Sequence, residues 1–342
     1  MRETDAGTEG RCDFCQSRFP VPPIEDEHGG ETYAFCTESC RQAMAAADRV
    51  FTEYRGHRWM YPGVAALDAK LPQGILRNSM VLLSAQPGTR ESELHAELVW
   101  SALNRGEPAV VVSFQEPPVS LVERFLSLEW NVLPFLDSGD LHVIDCFTYR
   151  VGDRERMFDR MNDWNAHLHR VAEPQVTAVH DPTNVNELES RLDDCTTAMG
   201  MVDRGLVLVD SLTEFGSLVQ PVRAYDFVKD VRADVCKGRF VPVFAGAAYT
   251  GDTDQFPHDL EYLFDGIVDM EQNPELIEDA LIKRMRVRKM SGVLTYPEWT
   301  AYEFTSDRGL VMFDPKVEVE RTESSETADS GRQGETPGED AS

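Results

Sequence analysis

Residues 85–92, which read AQPGTRES, have the spacing of a phosphate-binding loop but carry the wrong charge at one position. In the working motif, two glycines let backbone N–H groups surround the phosphates, a lysine neutralises them, and a serine or threonine holds Mg²⁺. Ala85 and Arg90 stand at the glycine positions, and Glu91 stands at the lysine position. The residues that keep the expected types are Pro87, Gly88, Thr89 and Ser92. The loop therefore indicates nucleotide-binding ancestry with an altered charge.

Glu91 reverses the charge beside the β- and γ-phosphates of a bound nucleotide. Two unit charges about 4 Å apart interact by about 4 kcal/mol at an effective dielectric constant of about 20, so ordinary ATP affinity should not survive. The helix after the loop still offers unpaired N–H groups and the positive end of its dipole, and Glu91 is placed to occupy that site itself. Arg90 would restore a cation if its guanidinium folded back over the phosphates. The sequence leaves two alternatives: an impaired site, and a weak site for ATP and Mg²⁺.

Two carboxylates that follow apolar strands are candidates for the rest of a phosphate-transfer site. Asp210 ends the apolar run 206–209, the pattern that coordinates Mg²⁺ in ATPases, and Ser92 would share that ion. Glu116 is the candidate to orient a water molecule. In the structural alternative, Asp210 caps a turn and Glu116 ends its strand before Pro117. We favour this alternative because the loop has also lost its lysine and two glycines.

Four of the seven cysteines form a CxxC pair, Cys12 and Cys15, and a CxxxC pair, Cys36 and Cys40. This spacing is typical of a structural zinc site, in which four thiolates complete a tetrahedron with no open position. A segment of about 40 residues buries too little apolar surface to fold alone, whereas zinc contributes on the order of 10 kcal/mol. Residues 11–47 resemble treble-clef fingers of the TRASH or MYM type through the run YAFCTESC. We predict structural zinc bound by the four cysteines.

The elements that must position these residues follow from hydrophobic periodicity and turn chemistry. The run 80–84 predicts a buried strand before the loop, and 93–104 predicts an amphipathic helix after it. Residues 155–171 repeat apolar side chains at helical spacing, which predicts one long helix. A second helix should begin at Asn184, with Glu187 completing a capping box. Further strands are predicted at 240–245, 263–269 and 283–289.

Several weak motifs occur together in the order and spacing of a known family. The segments that carry the likeness are YPGVAALD at 61–68, LPQGILRNSM at 71–80, RGEPAVVVSFQE at 105–116, GLVLVDS at 205–211 and RVRKMSG at 286–292. Over roughly residues 58–314 the chain resembles KaiC-type ATPases of the RecA superfamily, and in detail the haloarchaeal HTR-like group. The resemblance implies an α/β, RecA-like P-loop NTPase fold. It has a mostly parallel central sheet flanked by helices, preceded here by a small N-terminal zinc finger.

The resemblance also implies roles that the sequence keeps only in part. The paired glutamates that activate water in the family are Gln115 and Glu116 here, and the arginine of its closing KMRG signature is Ser291. In KaiC-like rings the corresponding basic strand faces the nucleotide of the neighbouring subunit. The resemblance thus implies a homo-oligomer with Lys289 at the interface between subunits. The alternative is a charged edge strand that discourages aggregation.

The charge balance disfavours several classes of partner. The 342-residue chain has a net charge of −27, and a field of this sign repels phosphate, which argues against nucleic acid and anionic membranes. Arginine outnumbers lysine by 27 to 6, and scarce lysine with high acidity fits a halophilic protein. No run approaches the roughly 18 apolar residues of a membrane span, and the N-terminus lacks the apolar core of a signal peptide. We expect a cytoplasmic protein.

Composition, cysteine spacing and the two resemblances together predict five segments along the chain. They are a disordered N-terminus at 1–10, the finger at 11–47, a helical linker at 48–60, the KaiC/RecA-like domain at 61–315 and a disordered acidic tail at 316–342. The tail assignment follows from its loss of apolar residues.

The functional hypothesis from sequence is a regulatory or signal-transduction protein with an impaired nucleotide site and a finger that recognises a protein partner. A first alternative is an atypical active ATPase in which Arg90 replaces the lysine and Glu116 acts as the base. A second alternative is a DNA recombination or repair accessory. It would bind through Arg284, Arg286 and Arg288, which share one face of a strand at period two.

Overall fold

The computed structural model describes residues 10–15, 17–19, 22–28, 30–46, 59–252, 254–274, 281–306, 308–315 and 317. Most of the predicted linker, the first nine residues and nearly all of the predicted tail therefore lie outside the described residues. The chain divides into two compact units, residues 1–60 and 61–342.

The first unit is a small hairpin and helix. Strands β1 (Ile24–His28) and β2 (Glu31–Phe35) pair antiparallel and are followed by helix α1 (Glu38–Ala46). Tyr33 and Phe35 alternate onto the inner face of β2 and are fully buried, as the period of two along a strand requires. The core that they form holds few side chains: Cys12, Tyr33, Phe35 and Met44, with partly buried neighbours. Apolar burial of this extent is too small to fold such a unit unaided.

The second unit is built on a ten-stranded sheet. Two short strands, β3 (Trp59–Met60) and β4 (Ile75–Leu76), come before it along the chain. The parallel strands are β5 (Met80–Ala85), β6 (Ala109–Ser113), β7 (Leu141–Asp145), β8 (Val176–Ala178), β9 (Leu206–Val209), β10 (Val243–Ala248) and β11 (Gly266–Asn273). An antiparallel extension follows, with β12 (Ile282–Met290), β13 (Thr300–Thr305) and β14 (Gly309–Phe313). The order across the sheet is β14-β13-β12-β11-β5-β10-β9-β6-β7-β8.

Helices pack against this sheet. They are α2 (Ala65–Asp68), α3 (Glu91–Asn104), α4 (Pro118–Ser127), α5 (Leu133–Ser138), α6 (Arg154–Asp159), α7 (Asp163–Ala172), α8 (Val185–Ala198), α9 (Leu212–Leu218) and α10 (Pro221–Val231). Every residue of β5, β6 and β9 is buried, as expected for parallel strands covered on both faces. The predicted α/β architecture with a mostly parallel central sheet is confirmed. Among the residues that the structure describes, no helix combines the length and apolar character that a membrane span requires.

Three local predictions were wrong in detail. The single helix predicted at 155–171 is two helices, α6 and α7, because the side chain of Asn162 accepts a hydrogen bond from Asn165 N at 2.9 Å and starts a new helix. The strands predicted at 240–245 and 263–269 each begin three residues later. For β10 the reason is Pro242, which has no N–H for the ladder.

The predicted capping box at the start of α8 forms only by half. Asn184 Oδ1 accepts a hydrogen bond from Glu187 N at 3.4 Å, so the N-cap is present. The carboxylate of Glu187 turns away from Asn184 and accepts hydrogen bonds from the backbone N–H groups of His180 and Asp181. It therefore secures the loop that leads into α8.

Candidate nucleotide site and cysteine cluster

The sheet brings the predicted site residues to one edge. Strands β5, β10, β9 and β6 are neighbours in that order, and all four are parallel. Their carboxyl ends therefore meet, which is where ligands bind in open α/β sheets. Loop 86–90 follows β5, Asp210 follows β9, and Glu116 follows β6. The order also places β10 between the loop strand and the strand of Asp210.

Loop 86–90 is held down by two strands from the far end of the chain. Gln86 N donates to Met270 O at 2.9 Å, and Gln272 N donates to Gln86 Oε1 at 3.1 Å. The buried Tyr302 hydroxyl donates to Thr89 O. Gly88 has a φ of +83°, and a Cβ there would lie 2.4 Å from Gln272 Nε2. The amide of Gln272 therefore packs against the loop at its one remaining glycine.

Arg90 does not fold back over the loop. Its φ of 65° is left-handed, a conformation that the glycine of the working motif adopts without strain. Its Nη1 donates to Glu93 Oε1 at 2.9 Å, and about half of the side chain is exposed. Pro87 is also exposed, while Thr89 is buried and its Oγ1 donates to Gln86 O at 2.7 Å.

Glu91 is the first residue of α3, and its carboxylate turns toward β10 and not into the loop. Its Oε1 lies 3.7 Å from His95 Nε2, one helical turn further on. Burial raises the pKa of Glu91 to about 8, the charge of Asp210 adds to the rise, and the backbone N–H of Ala247 opposes it. At neutral pH this carboxyl group is therefore mostly protonated. We expected Glu91 to occupy the anion site at the N-terminus of α3. Its carboxyl group instead lies beside His95 and Gly246 of β10.

Asp210 caps the turn after β6. Its Oδ1 accepts from Phe114 N at 2.8 Å, and its Oδ2 accepts from Gln115 N at 3.0 Å and Ser113 Oγ at 3.1 Å. Burial raises the pKa of Asp210 to about 6, although these hydrogen bonds pull it down. Ser92, its expected partner in holding Mg²⁺, is the half-buried second residue of α3. Both carboxylate oxygens of Asp210 are thus engaged by the protein itself.

Glu116 is held by an arginine of the next helix. Its Oε2 accepts from Arg124 Nη2 at 2.8 Å. Burial raises the pKa of Glu116, and Arg124 opposes that rise. Burial also lowers the pKa of His95 to about 3, and the positive charge of Arg124 adds to this effect. His95 is therefore a neutral imidazole at physiological pH.

Two residues that contact Glu91 and Asp210 were not predicted from the sequence. His95 is four residues after Glu91, so the two share a helix face. That spacing could have predicted their contact. Gly246 lies in β10, where an added Cβ would sit 2.4 Å from Asp210 O, 2.6 Å from His95 Cε1 and 2.7 Å from Glu91 Oε1. Nothing in the run 243–248 marks that glycine in advance, since its role depends on which groups meet above it.

The basic strand β12 is neutralised along its outer face. Arg284 pairs with Glu271, Arg286 with Asp269, and Arg288 with both Asp269 and Glu261. Trp299 also packs under two of these arginines, with guanidinium carbons 4.6 and 4.4 Å from its ring centre. Lys289 Nζ donates to Glu261 O at 3.1 Å. The arginines predicted to share a face do so, but they meet carboxylates there.

The four predicted zinc ligands are together in the first unit. The Sγ atoms of Cys12, Cys15, Cys36 and Cys40 all lie within 4.8 Å of one another. Two measured separations are 3.4 Å for Cys15 to Cys36 and 3.7 Å for Cys36 to Cys40. Zinc–sulfur bonds of about 2.3 Å put tetrahedral sulfur atoms about 3.8 Å apart. The cluster therefore has the size that a Cys₄ zinc site requires.

Local structure and proton sharing also suit this cluster to a metal. Thr37 Oγ1 accepts from Cys40 N at 3.2 Å, which places Cys36 and Cys40 on either side of the first turn of α1. A hydrogen bond with Ser17 is the main cause that lowers the pKa of Cys15 to about 6. The hydrogen bond with Cys15 is the main cause that raises the pKa of Cys36 to about 12. A thiol beside a thiolate would lose its proton when a metal cation binds, and both sulfur atoms would then be thiolate ligands.

Comparison with known proteins agrees with the geometry of the second unit. A family model described as "ATPase: KaiC" matches residues 61–317. A UPF0273 protein of Pyrococcus horikoshii is 24% identical over 255 residues, covering 75% of this chain and 94% of that protein. A UPF0273 protein of Thermotoga maritima is 24% identical over 251 residues, covering 73% and 94%. The crystal structure of a KaiC-like protein from Pyrococcus horikoshii superimposes with a TM-score of 0.58 at 15% identity, covering 75% of this chain and 99% of that one.

Proposed function

Because this chain belongs to the KaiC family of ATPases, we propose that it is a regulatory member with an impaired nucleotide site. Its second unit has the RecA-like fold of that family, and its N-terminal unit is a zinc finger of the TRASH type that recognises a protein partner. In this proposal the fold is retained as a scaffold for signal transduction, and hydrolysis is lost.

One observation carries the proposal: the residue that should hold Mg²⁺ is occupied by the protein. Asp210 accepts hydrogen bonds from the backbone N–H groups of Phe114 and Gln115 and lies 3.1 Å from Ser113 Oγ, so an ion would compete with these groups for its lone pairs. The cation that should meet the phosphates is also missing, since Arg90 pairs with Glu93 and Glu91 turns to His95. These residues do not fit a magnesium nucleotide.

The neutralised strand β12 favours a protein partner over DNA. Its arginines are paired with Glu271, Asp269 and Glu261, and the net charge of −27 repels phosphate. We extend the proposal to a halophilic, cytoplasmic protein of the HTR-like group. Assembly into a homo-oligomer, with Lys289 at the subunit interface, is part of the same proposal.

Calorimetric titration of ATP with Mg²⁺ into the full chain, at about 1 M KCl to screen surface charge, tests the impaired site. The unmodified chain should show no micromolar binding. The double variant Arg90→Gly with Glu91→Lys should gain affinity, because it restores both the glycine and the lysine of the loop. A matched control is Glu155→Lys, which makes the same charge change at an exposed position of α6 and should gain nothing.

The opposite result would support the active ATPase. Micromolar binding by the unmodified chain, with hydrolysis abolished by Asp210→Ala, would overturn the proposal. Because Glu116 is the candidate base in that alternative, Glu116→Gln should then bind ATP normally and hydrolyse it slowly.

The partner role of the finger needs a separate measurement. Crosslinking mass spectrometry on the full chain in a salt-adapted extract should give partner crosslinks to residues 10–46. These should disappear in the Cys36→Ser, Cys40→Ser variant, while crosslinks within residues 61–315 persist. Crosslinks that remain equally strong in that variant would contradict recognition by the finger.

A further inference from the structure

Three potential ligand atoms converge beside Gly246, within the candidate nucleotide site. They are Glu91 Oε1, His95 Nε2 and the carbonyl oxygen of Asp210. The position that a Cβ would take at Gly246 is 2.7 Å from Glu91 Oε1, 2.4 Å from Asp210 O and 2.6 Å from His95 Cε1, the carbon bonded to Nε2. The carboxyl group of Glu91, the ring of His95 and the carbonyl group of Asp210 therefore pack directly against Gly246, where any larger residue would clash with them.

His95 contributes to this cluster a buried nitrogen, Nε2, that makes no hydrogen bond to the described residues. Its side chain is only 6% exposed, and its Nε2 has no hydrogen-bond partner among the described residues. The separation of 3.7 Å from Glu91 Oε1 is too long for a hydrogen bond. A buried polar atom without a partner costs about 1 to 3 kcal/mol. A ligand that accepts the lone pair of this nitrogen would remove that cost.

The distances suit a metal ion bound by this pair. Metal–nitrogen and metal–carboxylate bonds of the zinc type are about 2.0 to 2.2 Å long, so two of them reach across 3.7 Å. Imidazole nitrogen selects for ions such as Zn²⁺, Co²⁺ and Ni²⁺, whereas all-oxygen sites suit Mg²⁺ and Ca²⁺. A carboxylate and a histidine four residues apart on one helix can reach the same ion.

We propose that Glu91, His95 and the carbonyl oxygen of Asp210 form a second metal site, for a divalent transition cation of the zinc type. The site rests on the proposed function, because these side chains are free to meet only where no magnesium nucleotide is held. It differs from the magnesium site of an ATPase, which would use Ser92 and the carboxylate of Asp210.

Zinc stoichiometry in the full chain tests this site. Equilibrium dialysis at micromolar free Zn²⁺ would be followed by elemental analysis. About 1 M KCl and excess Mg²⁺ would suppress binding at surface carboxylates. The wild type should hold two zinc ions, one in the cysteine cluster and one at Glu91 and His95. Glu91→Gln and His95→Gln should each weaken the second ion by more than about tenfold. The Cys36→Ser, Cys40→Ser variant should lose the other ion and keep this one.

Matched variants separate this site from its neighbours. Glu93→Gln removes a carboxylate on the same helical turn and should leave two zinc ions. Glu91→Gln has the shape of the native side chain and is about one-fifth exposed at this position, so it should fold even if the His95 variant does not. A wild type with a single zinc ion would overturn the proposal, and so would a second ion that survives Glu91→Gln. Loss of the second ion on Ser92→Ala would also overturn it, since that would place the ion at the magnesium position.

The two proposals can fail independently. Zinc is counted in the absence of nucleotide. If the chain held one zinc ion and did not bind ATP, only the proposal of a second metal site would be contradicted. Micromolar Mg-ATP binding would instead sink the impaired nucleotide site, whatever the zinc count. Two zinc ions that both remain when ATP is added would leave the metal site standing.

Discussion

The side chain at position 91 determines the electrostatics of the candidate site. A lysine there would balance the carboxylates of Asp210 and Glu116, whereas Glu91 adds a third acid to the same pocket. Burial raises the pKa values of all three acids, and it raises that of Glu91 to about 8, so Glu91 is mostly protonated at neutral pH. His95 stays neutral beside them because burial lowers its pKa. Two of the site's ionisable groups, Glu91 and His95, are therefore mostly neutral at neutral pH.

Stability should fall with rising pH because of Glu91. Its pKa rises from about 4.5 in the unfolded chain to about 8 in the fold. The resulting stabilisation is complete below about pH 4.5 and is lost as the pH rises through about 8. Between about pH 5 and pH 9, Glu91→Gln should lose less unfolding free energy than the wild type, by on the order of a few kcal/mol.

Urea unfolding at several pH values, with one zinc equivalent for the cysteine cluster, measures this difference. Glu93→Gln is the control, because Glu93 pairs with Arg90 at the surface end of the same turn. Parallel stability curves for the wild type and Glu91→Gln would show that Glu91 titrates normally.

Loop 86–90 and the cysteine finger have too few local interactions to fix their own conformations. The loop has lost the glycines that shape a phosphate cradle, and contacts from β11 and β13 hold it instead. The finger has a core of few side chains and a cluster of four thiols. The loop is therefore held by strands outside its own segment, and the four thiols are placed where a metal ion would hold the finger.

Removing the Tyr302 hydroxyl should loosen the loop. It donates to Thr89 O from a fully buried position, so Tyr302→Phe leaves that carbonyl without its partner. We expect a loss of about 1 to 3 kcal/mol of unfolding free energy, with faster hydrogen exchange at amides 88–91. Tyr296→Phe is the matched control, since its side chain is about half exposed and its loss should be close to zero. Equal losses of unfolding free energy in both variants would argue against a specific stabilising role for the Tyr302–Thr89 hydrogen bond.

Chelation of zinc should unfold the finger and spare the second unit. A structural zinc ion contributes on the order of 10 kcal/mol, more than a core of this size supplies, and the chain divides into two compact units at residue 60. Limited proteolysis with mass spectrometry should show new cuts within residues 10–46 after chelation, and none within 61–274. Protection of the finger that persists without metal would refute structural zinc.

The whole molecule is dominated by negative charge. The chain has 60 acidic and 33 basic residues, and even its basic strand β12 is matched by carboxylates. Such a surface repels itself at low ionic strength and destabilises the compact state. A cytoplasm rich in salt would relieve that repulsion.

Added KCl should therefore stabilise the protein. The screening length falls from about 10 Å at 0.1 M to about 3 Å at 1 M, so the melting temperature should rise steadily across that range. Residues 316–342 hold eight acids and three bases, which is −5 of the total of −27. A chain truncated at 315 should keep most of the salt dependence. A melting temperature independent of KCl would refute the halophilic assignment.

Sequence alone determined the features that depend on neighbouring residues. The run 80–84, the drifted loop and the helix after it follow from local periodicity and motif chemistry, and so do the CxxC and CxxxC pairs. Where local signals compete, the prediction was wrong: Asn162 caps a new helix inside an apolar repeat, and Pro242 delays β10. The mostly parallel sheet was predictable because many weak motifs agreed in order and spacing.

Only the tertiary structure decided what those residues do. Asp210 caps residues 113–115 because β9 lies beside β6, and Glu91 and His95 both pack against Gly246 of β10, where a larger residue would clash with them. Gln272 and Tyr302 reach the loop from more than 180 residues away. A sequence encodes strands and helices through interactions a few residues apart, whereas the partners of a side chain depend on strand order and register. Position 91 could therefore be interpreted as a lost lysine, but its place beside His95, whose Nε2 has no hydrogen-bond partner among the described residues, required the fold.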